Sequence, residues 1–448
     1  MKIAKNNIYL FVLIVLIGLY AYFVEYQGIN KEAARKEAAM HLFSVQKDSV
    51  VKVRLKNVYG SFEFSKNSGN KWWILKPVVT EAEQEKINAL LNQCATLKRD
   101  EDVEPFVAEN PDEFGLQNPE IKIVLVTSRG EKDSVLVGTD SPVGNKLFAG
   151  KGDSLIVTIP ASVKSQFSKG LFDWRNKKVV AFKQADIDSV IISGKSDIIL
   201  TKKDGDWVVL PISKTGDRAN ITTLLSKFAN AKYIRVVSED KSDLKKYGLH
   251  KPKWKVTFVD REAANNQPSV VISVGKANGP NYYAMTDDKP LIFELDSNVV
   301  HYLAKPVDYF RNHDFATINN NQVDSVIVAY ADTVLTLVKD SSNWMAWTDS
   351  GKVNVKNWKV TGLFSDLDFA EIKKFVDNPG LSDAITGFNK PSLRIKLFNN
   401  DNQIHEFIFG KKKRDLIYAR NLSSEDIVLL PEKLQNECKL KLKDILED

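Results

Sequence analysis

The strongest pattern along the chain is an apolar run near its start. Positions 6–24 carry no charged residue, and IYLFVLIVLIGLYAYFV fills positions 8–24. As a helix, nineteen residues rise roughly 28 Å, close to the depth of a bilayer core. Tyr9, Tyr20, Tyr22 and Tyr26 lie near its ends, where amphipathic rings favour the headgroup level. The run ends in Tyr-Phe-Val-Glu-Tyr without a small-x-small site, and no cysteine follows for lipid attachment. The prediction is an uncleaved transmembrane anchor. Lys2 and Lys5 precede the run while residues 25–42 mix both signs, so the amino terminus is expected to stay cytoplasmic and the body to be exported. The stretch NKEAARKEAAM, 30–40, predicts a short exposed helix.

The rest reads as one pattern written three times. Asp-Ser-Val-Val at 48–51 returns as Asp-Ser-Val-Ile at 188–191 and 324–327, offsets of 140 and 136. A tryptophan strand follows each time, at Trp72, Trp207 and Trp344. Next come apolar residues at i, i+3, i+4 and i+7: Ile87, Leu90, Leu91 and Cys94, then Ile221, Leu224, Leu225 and Phe228, then Val360, Leu363, Phe364 and Leu367. That spacing is one buried face of a helix. Thr80 and Glu83 have capping-box spacing before the first of them. A Gly-apolar-x-x-Pro stop recurs at Gly115, Gly248 and Gly387, then strands ending at Gly138, Gly275 and Gly410. Phe148-Ala149, Tyr283-Ala284 and Tyr418-Ala419 mark a later strand, and a short helix closes each copy.

Alternating stretches such as VKVRL, IKIVLV and WKVTFV predict half-buried antiparallel strands, and Lys203-Asp204-Gly205-Asp206 a hairpin turn. The fold class expected is α+β: a transmembrane helix followed by three tandem α+β modules with mostly antiparallel sheets. The boundaries are 1–25 for the cytoplasmic tip and anchor, 26–42 for a juxtamembrane helix or linker, and 43–182, 183–318 and 319–448 for the modules. Arg175-Asn176 and Arg311-Asn312 end the first two modules and are candidates for bracing each to the next, while the third stops at Lys443-Asp444 without a counterpart.

Composition changes this little. With 63 basic and 57 acidic residues the net charge is only +6, which argues against a nucleic-acid partner. His41, His250, His301, His313 and His405 have no metal-ligand spacing and read as solvated or locally bonded. Cys94 reads as core, and a bridge to Cys438 is disfavoured because it would join modules one and three. The glycines between Gly144 and Gly152 miss phosphate-loop spacing and read as a turn between strands, so no nucleotide is expected. Asp204/Asp206 and Asp287-Asp288 fall in predicted turns. The run Lys411, Lys412, Lys413 and Arg414 reads as a solvated turn, with contact to an anionic partner as the alternative. Trp72 and Trp358 could stack on a sugar, but repeat register favours packing. No catalytic, cofactor or metal residue is assigned.

The anchor, tryptophan strand, Gly-Leu-x-x-Pro stop and aromatic-Ala strand together resemble the domain-of-unknown-function 4340 family of bacterial envelope proteins. The resemblance covers residues 43–448 as tandem copies; the third departs from it, with Thr386-Gly387-Phe388 where the others have aromatic-Gly-Leu. It carries no catalytic residues to transfer. It implies a setting in which such proteins are encoded beside ABC-2-type exporter components and an auxiliary subunit associated with gliding motility. The expectation is a non-enzymatic, single-pass inner-membrane protein with a periplasmic body, acting as accessory or scaffold to a protein partner of that kind. The bilayer contact is 6–24. An envelope glycan- or anionic-lipid-binding protein is the alternative, and a hydrolase of envelope polymers a third reading.

Overall fold

The structure is a computed structural model that describes residues 5–151, 155–260, 270–378, 380–424 and 426–447. Lys2 and Gly152, which entered the readings above, lie outside the described residues.

The amino-terminal run departs from the expected single helix. Helix α1 spans Lys5–Tyr20, a π-helical turn Ala21–Tyr26 follows, and α2 spans Gln27–Met40. Sixteen α-helical residues rise about 24 Å, short of a hydrocarbon core of about 30 Å. No helix among the described residues is long and apolar enough to cross a membrane.

Beyond residue 43 the described residues build three antiparallel sheets of nine strands, each within one sequence copy. In the first copy the elements are β1 (Val50–Asn57), β2 (Gly60–Lys66), β3 (Trp72–Lys76), β4 (Thr80–Glu81), α3 (Gln84–Thr96), β5 (Phe106–Val107), β6 (Ile121–Thr127), β7 (Lys132–Asp140), β8 (Lys146–Lys151) and β9 (Leu155–Pro160). The sheet order is β4-β3-β2-β1-β6-β7-β8-β9-β5, two meanders that meet where β1 pairs with β6. The second and third copies repeat that order strand for strand. Alternation sets the faces: Val53 and Leu55 of β1 point into the core, while Arg54 and Lys56 point to solvent. The predicted hairpin forms, with Lys203 opposite Asp206 and positive φ at Asp204 (52°) and Gly205 (93°).

The predicted helix faces are all buried, in α3, Arg218–Ala229 and Asn357–Asp368. Each such Leu, Ile or Phe contributes about 1.5–3 kcal/mol on leaving water. The capping box does not form, because Thr80 is drawn into β4 and the N-cap, Glu83, makes no side-chain cap bond. Gln84 acts there instead: its side chain accepts from Trp72 N at 2.7 Å and donates to Trp72 O at 2.9 Å. The tryptophan strand is thereby tied to the first helical turn, and Asn357 accepts from Trp344 N at 2.7 Å in the third copy.

The tetrapeptide that pointed to the repeat is in register only between the second and third copies. Val190 pairs with Phe258 and Val326 with Leu397, but their counterpart, paired with Leu125, is Val53 rather than Val50. The bulge between Val50 and Lys52 recurs between Ile187 and Ser189, so Val50 answers to Ile187 and the tetrapeptides are three residues apart in register. The glycine motifs explain themselves better. Gly115, Gly248 and Gly387 hold left-handed φ of 68°, 72° and 83°. This turns the chain over the strand glycine opposite. A Cβ on Gly138, Gly275 or Gly410 would lie 1.9, 2.2 or 2.1 Å from the carbonyl oxygen of Phe114, Tyr247 or Thr386. Only glycine fits beneath that carbonyl.

By compactness the chain divides into two units: 1–179 with 232–240 and 291–294, and 180–231 with 241–290 and 295–448. Unit limits thus do not follow the sequence copies.

Candidate functional site

The side chains that stand out lie where one copy leads into the next. In the first unit, Ala82 forms a backbone bridge with Arg175, and Asn176 N donates to Glu81 O at 2.9 Å. The Arg175 side chain is 1% exposed, and its Nη2 sits 2.9 Å from both carboxylate oxygens of Glu239. Its Nε has no hydrogen-bond partner. Asn176 closes a local turn, its Oδ1 accepting from Lys178 N at 3.0 Å and its carbonyl from the Tyr233 hydroxyl at 2.7 Å. Burial pushes the Tyr233 hydroxyl above the usual tyrosine range, against the opposing pull of Arg175.

The second unit repeats the construction. Gly216 bridges Arg311, and Asn312 N donates to Thr215 O at 2.9 Å. Arg311 is buried, with Nη1 2.6 Å from Asp377 and 3.3 Å from Asp308, and Nη2 3.5 Å from Asp426. Its guanidinium lies 3.6 Å from the Phe375 ring centre. Lys214 shares Asp426 at 2.7 Å. Asn312 accepts from Asp314 N at 3.1 Å, the same turn that Asn176 makes.

Entry into each sheet is also equivalent: His41 bridges Lys98, Lys178 bridges Lys232, and Asp314 bridges Glu371. Counting back three residues from these bridges reaches Ala38, Arg175 and Arg311. At the far end Val355 bridges Leu446, as Ala82 bridges Arg175 and Gly216 bridges Arg311. The third copy therefore has a counterpart after all, Leu446, two residues beyond where the sequence pattern stops. Arginine stands at the two internal joints, alanine and leucine at the outer positions.

The acids that hold these arginines were not visible in the sequence. Glu239 and Asp377 lie 64 and 66 residues from their partners, nine and ten before Gly248 and Gly387. Their only signal is that shared place between the helix and the glycine stop.

The basic run is dispersed. Lys411 Nζ donates to Ala384 O at 2.8 Å, Lys412 pairs with Glu432 at 2.6 Å, and Lys413 Nζ meets the Tyr418 hydroxyl at 3.1 Å. Arg414 takes the left-handed turn position, φ 60°. Trp72 is buried, but Trp358 is 65% exposed on its helix, against the packing expected from its register, with Lys359 Nζ 4.5 Å from its ring centre. Cys94 and Cys438 are buried free thiols, and burial pushes both well above the ordinary thiol range. Among the described residues no three His, Cys, Asp or Glu side chains are grouped to hold a metal.

Fold and joints together define a tandem-repeat α+β protein whose recurrent buried charges tie copy to copy. The chain belongs to the DUF4340 family, a domain of unknown function, whose model matches residues 72–215 and again 207–385. Each match starts at a tryptophan strand and runs past a joint arginine into the following copy. No curated protein matches the chain. Among solved structures, the DnaN sliding clamp (DNA polymerase III subunit beta) of Pseudomonas aeruginosa bound to griselimycin is 9% identical, over 87% of this chain and 94% of that one. Its TM-score of 0.11 carries no argument.

Proposed function

We propose that this protein is a non-enzymatic accessory or scaffold of the bacterial inner membrane, with a cytoplasmic amino terminus and a periplasmic body. Its partner would be an ABC-2-type exporter or a gliding-motility-type envelope complex. The observation that carries this reading is the uncovered amino-terminal helix. Its large apolar side chains from Tyr9 to Phe23 are 43% to 73% exposed. Water does not stabilise a surface of that extent, and a lipid phase does. Helical backbone continues through the π turn into α2, so the apolar stretch is longer than α1 alone. The far end of α2 is held to the segment that follows α3: Leu42 N donates to Leu97 O and Arg99 N to Met40 O, both at 2.9 Å, and Lys98 pairs with Glu37. Such a connection suits a body carried at a fixed place beside a membrane partner.

The test is chemical crosslinking in cells followed by purification of the full chain from detergent-solubilised membranes. Residues 5–26 are expected to make the chain resist alkaline extraction, and an exporter subunit or other envelope protein is expected to co-purify in fixed ratio. Extraction of the intact chain as a soluble protein, or recovery of the chain alone, would contradict the proposal.

A further inference from the structure

The solvent face of the first sheet carries a charge pattern that its fold does not require. Arg54 and Lys56 of β1, Lys76 of β3 and Lys122 of β6 surround Glu63 of β2, lining a shallow cleft of about 450 Å³. Glu63 is committed to Lys52 at 3.2 Å and Arg54 at 3.4 Å. Burial would raise its pKa, but Lys52, Arg54 and Lys76 override this and hold it below the ordinary carboxylate range. Lys56 and Lys122 are direct cross-strand partners. Like charges in that position are unfavourable, and both side chains are exposed.

The other copies serve as internal controls. Where the first has Lys56 opposite Lys122, the second has Ser193 opposite Lys255 and the third Ala329 opposite Arg394. The place of Arg54 is taken by Ile191 and Ile327. Three sheets of the same strand order thus form, and of the three only the first sets two cations directly opposite each other at this place. A feature that disfavours folding and that two sister copies omit calls for a ligand.

We propose that the outer face of β3, β2, β1 and β6 binds a linear, phosphate-rich polyanion. The cations spread over four adjacent strands, about 14 Å at the usual strand spacing. That is more than one compact anion reaches, and the cleft is open to solvent. Phosphoryl groups carry high charge near neutral pH and accept several hydrogen bonds, which suits two lysines side by side with a guanidinium.

The test is titration of the detergent-solubilised full chain with inorganic polyphosphate, in parallel with vesicles of anionic phospholipid. Polyphosphate is expected to bind, weakening steeply with salt as electrostatic association does. The double variant Lys56→Gln/Lys122→Gln is expected to lose about tenfold in affinity with a shallower salt dependence. It should unfold no earlier than wild type, because a repulsive pair has gone. Lys255→Gln in the second copy should bind as wild type. Absence of polyphosphate binding, equal binding by the double variant, or binding to anionic vesicles alone would each overturn the proposal.

Discussion

His405 shows what one buried polar side chain imposes. Its ring stacks on Phe407, with centres 5.7 Å apart and planes at 11°, and its Nδ1 is buried without a hydrogen-bond partner. Sequence spacing alone reads it as a solvated or locally bonded histidine. Burial disfavours the imidazolium and lowers the pKa below the ordinary 6.5. A folded pKa below the unfolded one means that the stability is complete above the unfolded value. It is lost as pH falls through that value towards the folded one. Acidification from neutral pH to about 5 is therefore expected to lower the thermal midpoint, and His405→Phe to flatten that slope. Glu371 does not confuse the reading. The hydrogen bond from Lys373 holds its pKa below the ordinary 4.5, so its contribution changes only at lower pH. A midpoint equally pH-dependent in wild type and variant would refute this assignment.

At the scale of elements, the glycine clasp orders each copy. The left-handed glycine of the stop motif reverses the chain, and the strand glycine receives the preceding residue's carbonyl. Gly275→Ala would place a methyl carbon 2.2 Å from Tyr247 O, an overlap expected to cost about 3 kcal/mol. Gly69→Ala, whose nearest neighbour would be 3.5 Å away, should be near neutral. Denaturant midpoints of the two variants check the contrast, and equal midpoints would remove the clasp from the description. These motifs were legible in the sequence because glycine marks a backbone requirement wherever it recurs. The three helix faces were legible because burial selects side chains every three to four residues. Register was not. Matching Val50 to Val190 runs three residues out of step with the pairing, in which Val50 answers to Ile187, and a four-residue identity does not report which residues face each other across a sheet. The capping box failed for a similar reason, since strand pairing claimed Thr80.

For the whole molecule, the distinguishing chemistry is the pair of joint arginines. Their positions could be read from the ends of copies, whereas their carboxylates come from chain distant in sequence and needed the fold to be seen. A buried guanidinium that loses its acid becomes costly, whereas replacing it by an apolar side chain of similar length costs much less. Glu239→Ala is thus expected to loosen the first joint by about 2 kcal/mol, discounted because Glu239 is 45% exposed. Arg175→Met added to it should restore most of that loss. Asp377→Ala should do less, since Asp308 and Asp426 still face Arg311.

The most direct measurement is backbone amide exchange on the full chain, read at the joint amides. Tyr233 N donates to Lys177 O at the first joint, and Phe315 N to Ala370 O and Ile372 N to His313 O at the second. In Glu239→Ala the Tyr233 amide is expected to exchange about thirtyfold faster, with protection regained in the Arg175→Met double variant and the core strand amides of Val53 and Leu55 unchanged. Tyr233 exchange at the wild-type rate in Glu239→Ala would contradict the claim that buried arginine–carboxylate pairs hold the copies together.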